Sequence, residues 1–208
     1  MTRIVKEAAV RRREILDTAL ELFADHGFDG TSVNRIIEAI GISKGAFYHH
    51  FRSKDDILTA VAADLAEAAV TAILPVVDDP EATALEKLRA FFGGAAQSKR
   101  DAVGDALLMK LAKALYAPAN LRLRVALEDA SVARSSPLLT RIIEAGVARG
   151  ELDPVAEPAV TAELVLQMGT AAARAGAGTD VDLVMKKLAA HKRAVARLLG
   201  LDADSLEV

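Results

Sequence analysis

Apolar residues recur at intervals of three and four along most of the chain, and runs that alternate apolar with polar are nearly missing. Ile15, Ala19, Leu22 and Phe23 make one stripe, Val33, Ile36, Ile37 and Ile40 a second, and Leu58, Val61, Ala62, Leu65 and Ala69 a third. That spacing puts side chains on one face of an α-helix, whereas a half-buried strand needs a period of two. The chain is therefore expected to be all-α, with about nine to ten helices. Its 208 residues suffice to bury a core without staples, as one large domain or two modest ones. Cysteine is absent, which excludes disulfides and thiolate metal ligands.

Caps and breakers divide the helical pattern. The basic run at Arg11, Arg12 and Arg13 is expected to start the first helix, and Gly27 in "DHGFDG" to end it as a C-cap. Thr31 or Ser32 caps a second helix, which Gly41 breaks, and Ser43 caps a short third helix reaching about His49. Ser53-Lys54-Asp55-Asp56 reads as a capping box for a fourth helix that should stop near Leu74, before Pro75. The prolines and aspartates of "PVVDDPE" mark the best boundary, dividing residues 1–75 from a body over 80–208. In the body, helices are expected at roughly 81–99, 101–116, 118–134, 137–149, 155–175 and 180–199. The N-terminus lacks the apolar run of a secretory signal, and "AEAAVTAILPVV" falls short of the roughly 18–20 residues that span a bilayer. No membrane span and a cytoplasmic location are expected.

The chemistry concentrates in "GISKGAFYHHF", residues 41–51. Gly41-Ile42-Ser43-Lys44-Gly45 fits the G-x-S-x-G nucleophile elbow, in which a strand leads into an exposed serine. The residues before Ser43 have helical period instead, so a hydrolase using Ser43 is the weaker reading and no enzymatic activity is expected. Two helices joined by a short glycine-containing turn form a helix-turn-helix, whose second helix enters the major groove of DNA. Net charge is −3, yet residues 1–54 carry nine Lys/Arg against seven Asp/Glu. Any anionic partner should thus meet the N-terminal quarter.

Each residue then has a role in DNA binding. Ser43 and the helix N-terminus suit a phosphate, and Gly45 lets the backbone approach closely. Lys44 reaches a phosphate or a guanine edge, Ala46 meets a thymine methyl, and Tyr48 and His49 offer ring faces and polar tips. Thr31 and Ser32 supply hydroxyls to phosphate, Lys54 clamps the flanking backbone, and Arg11 and Arg12 follow the duplex or its minor groove.

Residues 15–58, "ILDTALELFADHGFDGTSVNRIIEAIGISKGAFYHHFRSKDDIL", resemble the DNA-binding domain of the TetR family of transcriptional regulators. The family pattern is met from Phe23 to Leu58, with Ile37 where alanine is usual and Asp55 where glutamate is commoner. The resemblance implies an N-terminal three-helix DNA-binding head and a helical body that binds a small effector. Its last two long helices would pair with a second copy, giving a homodimer on a pseudo-palindromic operator, released by the effector. It also places Phe92, Met109 and Tyr116 on the pocket-forming helices; Phe91 and Met168 are further candidates for the cavity wall. A helical adaptor dimer that binds no DNA is the remaining alternative.

No metal or cofactor is expected. His49 and His50 are adjacent on a helix and point about 100° apart, with no cysteine to complete a zinc site. His26 and His191 read as surface residues near helix ends, and "GAGTD" at 176–180 as a loop.

Overall fold

The computed structural model describes residues 2–93, 117–174 and 181–207. Among these the chain forms α1 (Thr2–His26), α2 (Val33–Ile40), α3 (Lys44–His50), α4 (Lys54–Val77), α5 (Ala84–Gly93), a 3-10 turn (Pro118–Asn120), α6 (Leu121–Ala148), α7 (Pro158–Arg174) and α8 (Val181–Leu198). The fold is all-α, with eight α-helices among the described residues, slightly fewer than the sequence suggests. The expected helix at 101–116 lies outside those residues.

The chain forms two compact units. The first contains residues up to Leu65 together with the 3-10 turn and the start of α6 as far as Leu127; the second holds α4 from Ala66, α5, and the chain from Glu128. In the first, Ile15, Ala19, Phe23, Phe28, Ile36, Phe47, Phe51 and Ile57 are fully or almost fully buried, joined by Leu123 from α6. Ile15, Ala19 and Phe23 are spaced four apart on α1, so that sequence stripe becomes core, and Phe28, Phe47, Phe51 and Ile57 join it from the turns and from α3 and α4. In the second, Leu88 of α5, Leu139, Ile142 and Ile143 of α6, Val165 of α7, and Val195 and Ala196 of α8 make a separate core.

Three boundaries differ from the sequence reading, and all involve a helix continuing where a local signal suggested a start or a stop. α1 begins at Thr2, well before the arginine run. α4 continues through Pro75 to Val77, and a single α6 runs through Pro137 where two helices were expected. An interior proline loses one backbone hydrogen bond and costs about 3 kcal/mol. In α6 the buried run Leu138, Leu139, Ile142 and Ile143 lies just beyond Pro137, and burying four large aliphatic side chains at ~1.5–3 kcal/mol each outweighs that cost.

By length and hydropathy α4 would qualify as a membrane span. Its Ile57, Leu58, Val61 and Ala62 are nevertheless buried in the protein, and Val77 belongs to the second core.

Candidate nucleic-acid interface

The geometry of residues 31–51 follows from three local devices. Ser32 is extended (φ −100°, ψ 156°) and its Oγ accepts from the Arg35 N–H at 3.1 Å, which caps α2. Gly41 ends that helix in the left-handed region at φ 75°, its N–H donating to Ile37 O at 3.0 Å. A Cβ there would meet nothing within 4 Å, so glycine is favoured by backbone conformation alone. Ser43, extended again, caps α3 by accepting from the Ala46 N–H at 3.1 Å.

These devices make a helix-turn-helix and remove the elbow. A helix, not a strand, precedes Ser43, and the serine oxygen is a cap acceptor. Phe47 and Phe51 anchor α3 on its inner side, their rings 6.3 Å apart, and both are buried. Ser43, Lys44, Gly45, Ala46, Tyr48 and His49 all lie at the surface, and Tyr48 is 54% exposed. A Cβ on Gly45 would approach only Ser43 Oγ, at 3.9 Å, leaving the backbone of this turn open. An aromatic ring left in water beside a lysine and a histidine, on a helix pinned from beneath, is a surface that can stack and donate hydrogen bonds to an anionic polymer.

One expected contact, that of Thr31, is corrected, and a second, that of Lys54, competes with a bond inside the protein. Thr31 is buried, and its hydroxyl donates to Leu22 O at 3.1 Å or Gly27 O at 2.9 Å; it closes the α1–α2 turn and offers nothing to phosphate. Lys54 is partly buried, its ammonium donating to Phe28 O at 2.7 Å and lying 4.1 Å from the Phe28 ring centroid. Its charge is used to hold the head together. Arg11 and Arg12 are exposed: Arg11 pairs with Glu14 at 2.6 Å, and Arg12 sits over the Phe51 ring at 5.2 Å. Burial first, then His49, Arg12 and Arg11, push the His50 pKa below its ordinary value, a sign that positive charge gathers at this end of α3.

Two further basic residues, Arg35 in α2 and Arg52 after α3, are exposed. Arg35 donates to His26 Nε2 at 2.8 Å.

Of the cavity candidates, Phe91 and Phe92 line a cavity of about 640 Å³ in the second unit. Met168 is corrected: it is 53% exposed on α7 and does not line that cavity. Side chains along one helix diverge by about 100° per residue, and the neighbouring Leu166 and Gly169 take the inner positions. Met109 and Tyr116 lie outside the described residues. His191, expected at the surface, is buried in the cavity wall, with Nε2 at 2.8 Å from Val165 O and its ring edge-to-face with Phe92 at 5.9 Å. Gly169 makes room for it, since a Cβ there would stand 3.1 Å from the imidazole. No group of three or more metal-binding side chains occurs among the described residues.

Residues 15–61 match the family model described as bacterial regulatory proteins, tetR family. Over this segment the chain is similar to the DNA-binding domain of the tetR family. The HTH-type transcriptional repressor Rv1474c of Mycobacterium tuberculosis is 52% identical over 54 residues, 26% of this chain and 29% of that protein. The repressor AcnR of Corynebacterium diphtheriae is 45% identical over 56 residues, 27% of this chain and 30% of that one. The chain thus matches under a third of the length of either curated relative. The crystal structure of RolR in complex with resorcinol aligns over 98% of this chain and 94% of its own, with 20% identity and a TM-score of 0.61. That likeness is one of fold, and it takes in residues of the second unit as well.

Proposed function

We propose that this protein is a ligand-responsive transcriptional regulator, a repressor, that binds a pseudo-palindromic DNA operator as a homodimer and is released by a small molecule. The observation that carries the reading is the outward face of α3: Lys44, Tyr48 and His49 exposed on a helix whose inner face is fixed by Phe47 and Phe51. The relatives that match this segment are named repressors, and RolR, similar in fold, was crystallised with a small phenolic ligand. In functional terms residues 1–75 serve DNA binding and residues 80–208 effector binding and dimerisation, with residues up to Leu127 that follow the 3-10 turn packed into the first unit.

Dimerisation is supported by α7 and α8, which leave Val160, Leu164, Met168 and Leu198 exposed. On α7 these fall at i, i+4 and i+8, a stripe that a second copy covers well. A dimer also meets the information requirement, because one short helix reads few base pairs whereas two, a helical turn apart, read an inverted repeat. Release requires the effector to bind the non-operator arrangement more tightly, since equal affinity for both shifts nothing. The test is selection of bound sequences from a random duplex pool with the purified chain. An inverted repeat is the expected product; a pool that never enriches would contradict the reading.

A further inference from the structure

Among the described residues, the wall of the cavity in the second unit contains one cation with no carboxylate partner. α8 turns Met185, Leu188, Ala189 and Lys192 toward it, the i, i+3, i+4, i+7 spacing of a single helix face. Three of these are apolar, and the fourth is a lysine where a further apolar residue would complete the stripe. Opposite stand Val70 and Ile73 of α4, Phe91 and Phe92 of α5, and Leu166 of α7, so the body of the cavity is apolar.

Beside the neutral Ser135 hydroxyl, three other polar groups on this wall have partners within the protein. His191 Nε2 donates to Val165 O, the Thr170 hydroxyl donates to Gln167 O at 2.9 Å, and the Glu207 carboxylate takes Arg193 at 2.6 Å. Lys192 is partly buried, and among the described residues no carboxylate pairs with it. A cation drawn out of bulk water toward an apolar cavity is stabilised by an anion that brings its own apolar body. Glu207 lies on the same wall, so a singly charged anion meets less repulsion there than a doubly charged one.

We infer that the cavity binds an apolar monocarboxylate, its hydrocarbon part among Val70, Ile73, Phe92 and Leu166 and its carboxylate on the Lys192 ammonium. The volume lies within the range of small-molecule sites, ~300–1,000 Å³. The inference rests on the regulatory reading only in giving this acid the role of effector.

Calorimetric titration of the full chain with decanoate, decanol and decyltrimethylammonium, all kept monomeric, tests it. Decanoate should bind at least about ten-fold more tightly than decanol, the loss expected when a charge-assisted hydrogen bond is missing, and the ammonium should bind weakest. Lys192→Met should remove that preference, chiefly by weakening decanoate, and Lys192→Arg should keep it; a circular dichroism melt checks that each variant is folded. Equal affinity for decanoate and decanol in the unmodified chain, or an unchanged preference in folded Lys192→Met, would overturn the inference. Duplex affinity is measured alongside. Decanoate held by Lys192 without any effect on duplex binding would support the site and refute its role as effector, whereas intact duplex binding with no decanoate uptake would refute the site and leave the DNA reading standing.

Discussion

At the scale of single residues, His50 links the interface to pH. Its pKa is lowered by burial and by His49, Arg12 and Arg11, so the unfolded chain takes up this proton at higher pH than the folded one does. Stability therefore rises with pH through this window and is lost as pH falls below the ordinary histidine value. The prediction is comparative: between about pH 8 and about pH 5.5 the urea midpoint of the unmodified chain should fall further than that of His50→Gln. Parallel loss in both would show that His50 contributes nothing to the pH dependence. Thr31 and Lys54 carry the complementary lesson. Hydroxyl and ammonium groups at these positions have the chemistry to meet phosphate, yet Leu22 O, Gly27 O and Phe28 O claim them first. Sequence reports which donors exist; only the fold reports which are already spent.

At the scale of elements, the helix-turn-helix was legible because its determinants are local. Ser32, Gly41 and Ser43 each act on backbone within four residues, and Phe47 and Phe51 fall on the stripe that α3 must bury. What could not be read is the role of the 3-10 turn and the start of α6. Asn120, fully buried, accepts from Phe28 N–H at 3.0 Å and donates to Phe23 O at 2.9 Å, more than ninety residues away in sequence. Gly27 sits against the same turn at φ 76°, where a Cβ would come within 2.7 Å of the Ala119 Cβ. Arg122 pairs with Asp55 and lies 4.6 Å from the Phe28 ring centroid. No periodicity announces such contacts. Asn120→Ala should cost about 1–3 kcal/mol, because it leaves a buried N–H and a buried carbonyl short of a partner, and chemical denaturation measures it. A variant as stable as the parent would show that water replaces the carboxamide at no cost. The continuation of α4 and α6 past their prolines is unreadable for the same reason, since the apolar contacts that outweigh Pro75 and Pro137 come from elsewhere in the chain.

At the scale of the molecule, two separate cores divide the work, one beneath the surface of α3 and one around the cavity. The all-α class and the N-terminal helix-turn-helix were visible in spacing and caps. The cavity was visible only in outline: Phe91 and Phe92 were legible as apolar residues, but His191 and Lys192 acquire meaning from α7 and α4 packing across from α8. A net charge of −3 argues against indiscriminate coating of nucleic acid and in favour of selective contact by the head. The most direct measurement is therefore the affinity of the selected duplex as a function of salt, for the unmodified chain and for Tyr48→Ala and Lys44→Ala. The account predicts a negative slope of log affinity against log salt for the unmodified chain, with sequence-selective binding lost in both variants while their melting curves stay unchanged. Salt-independent association, or full selectivity retained by both variants, would contradict it.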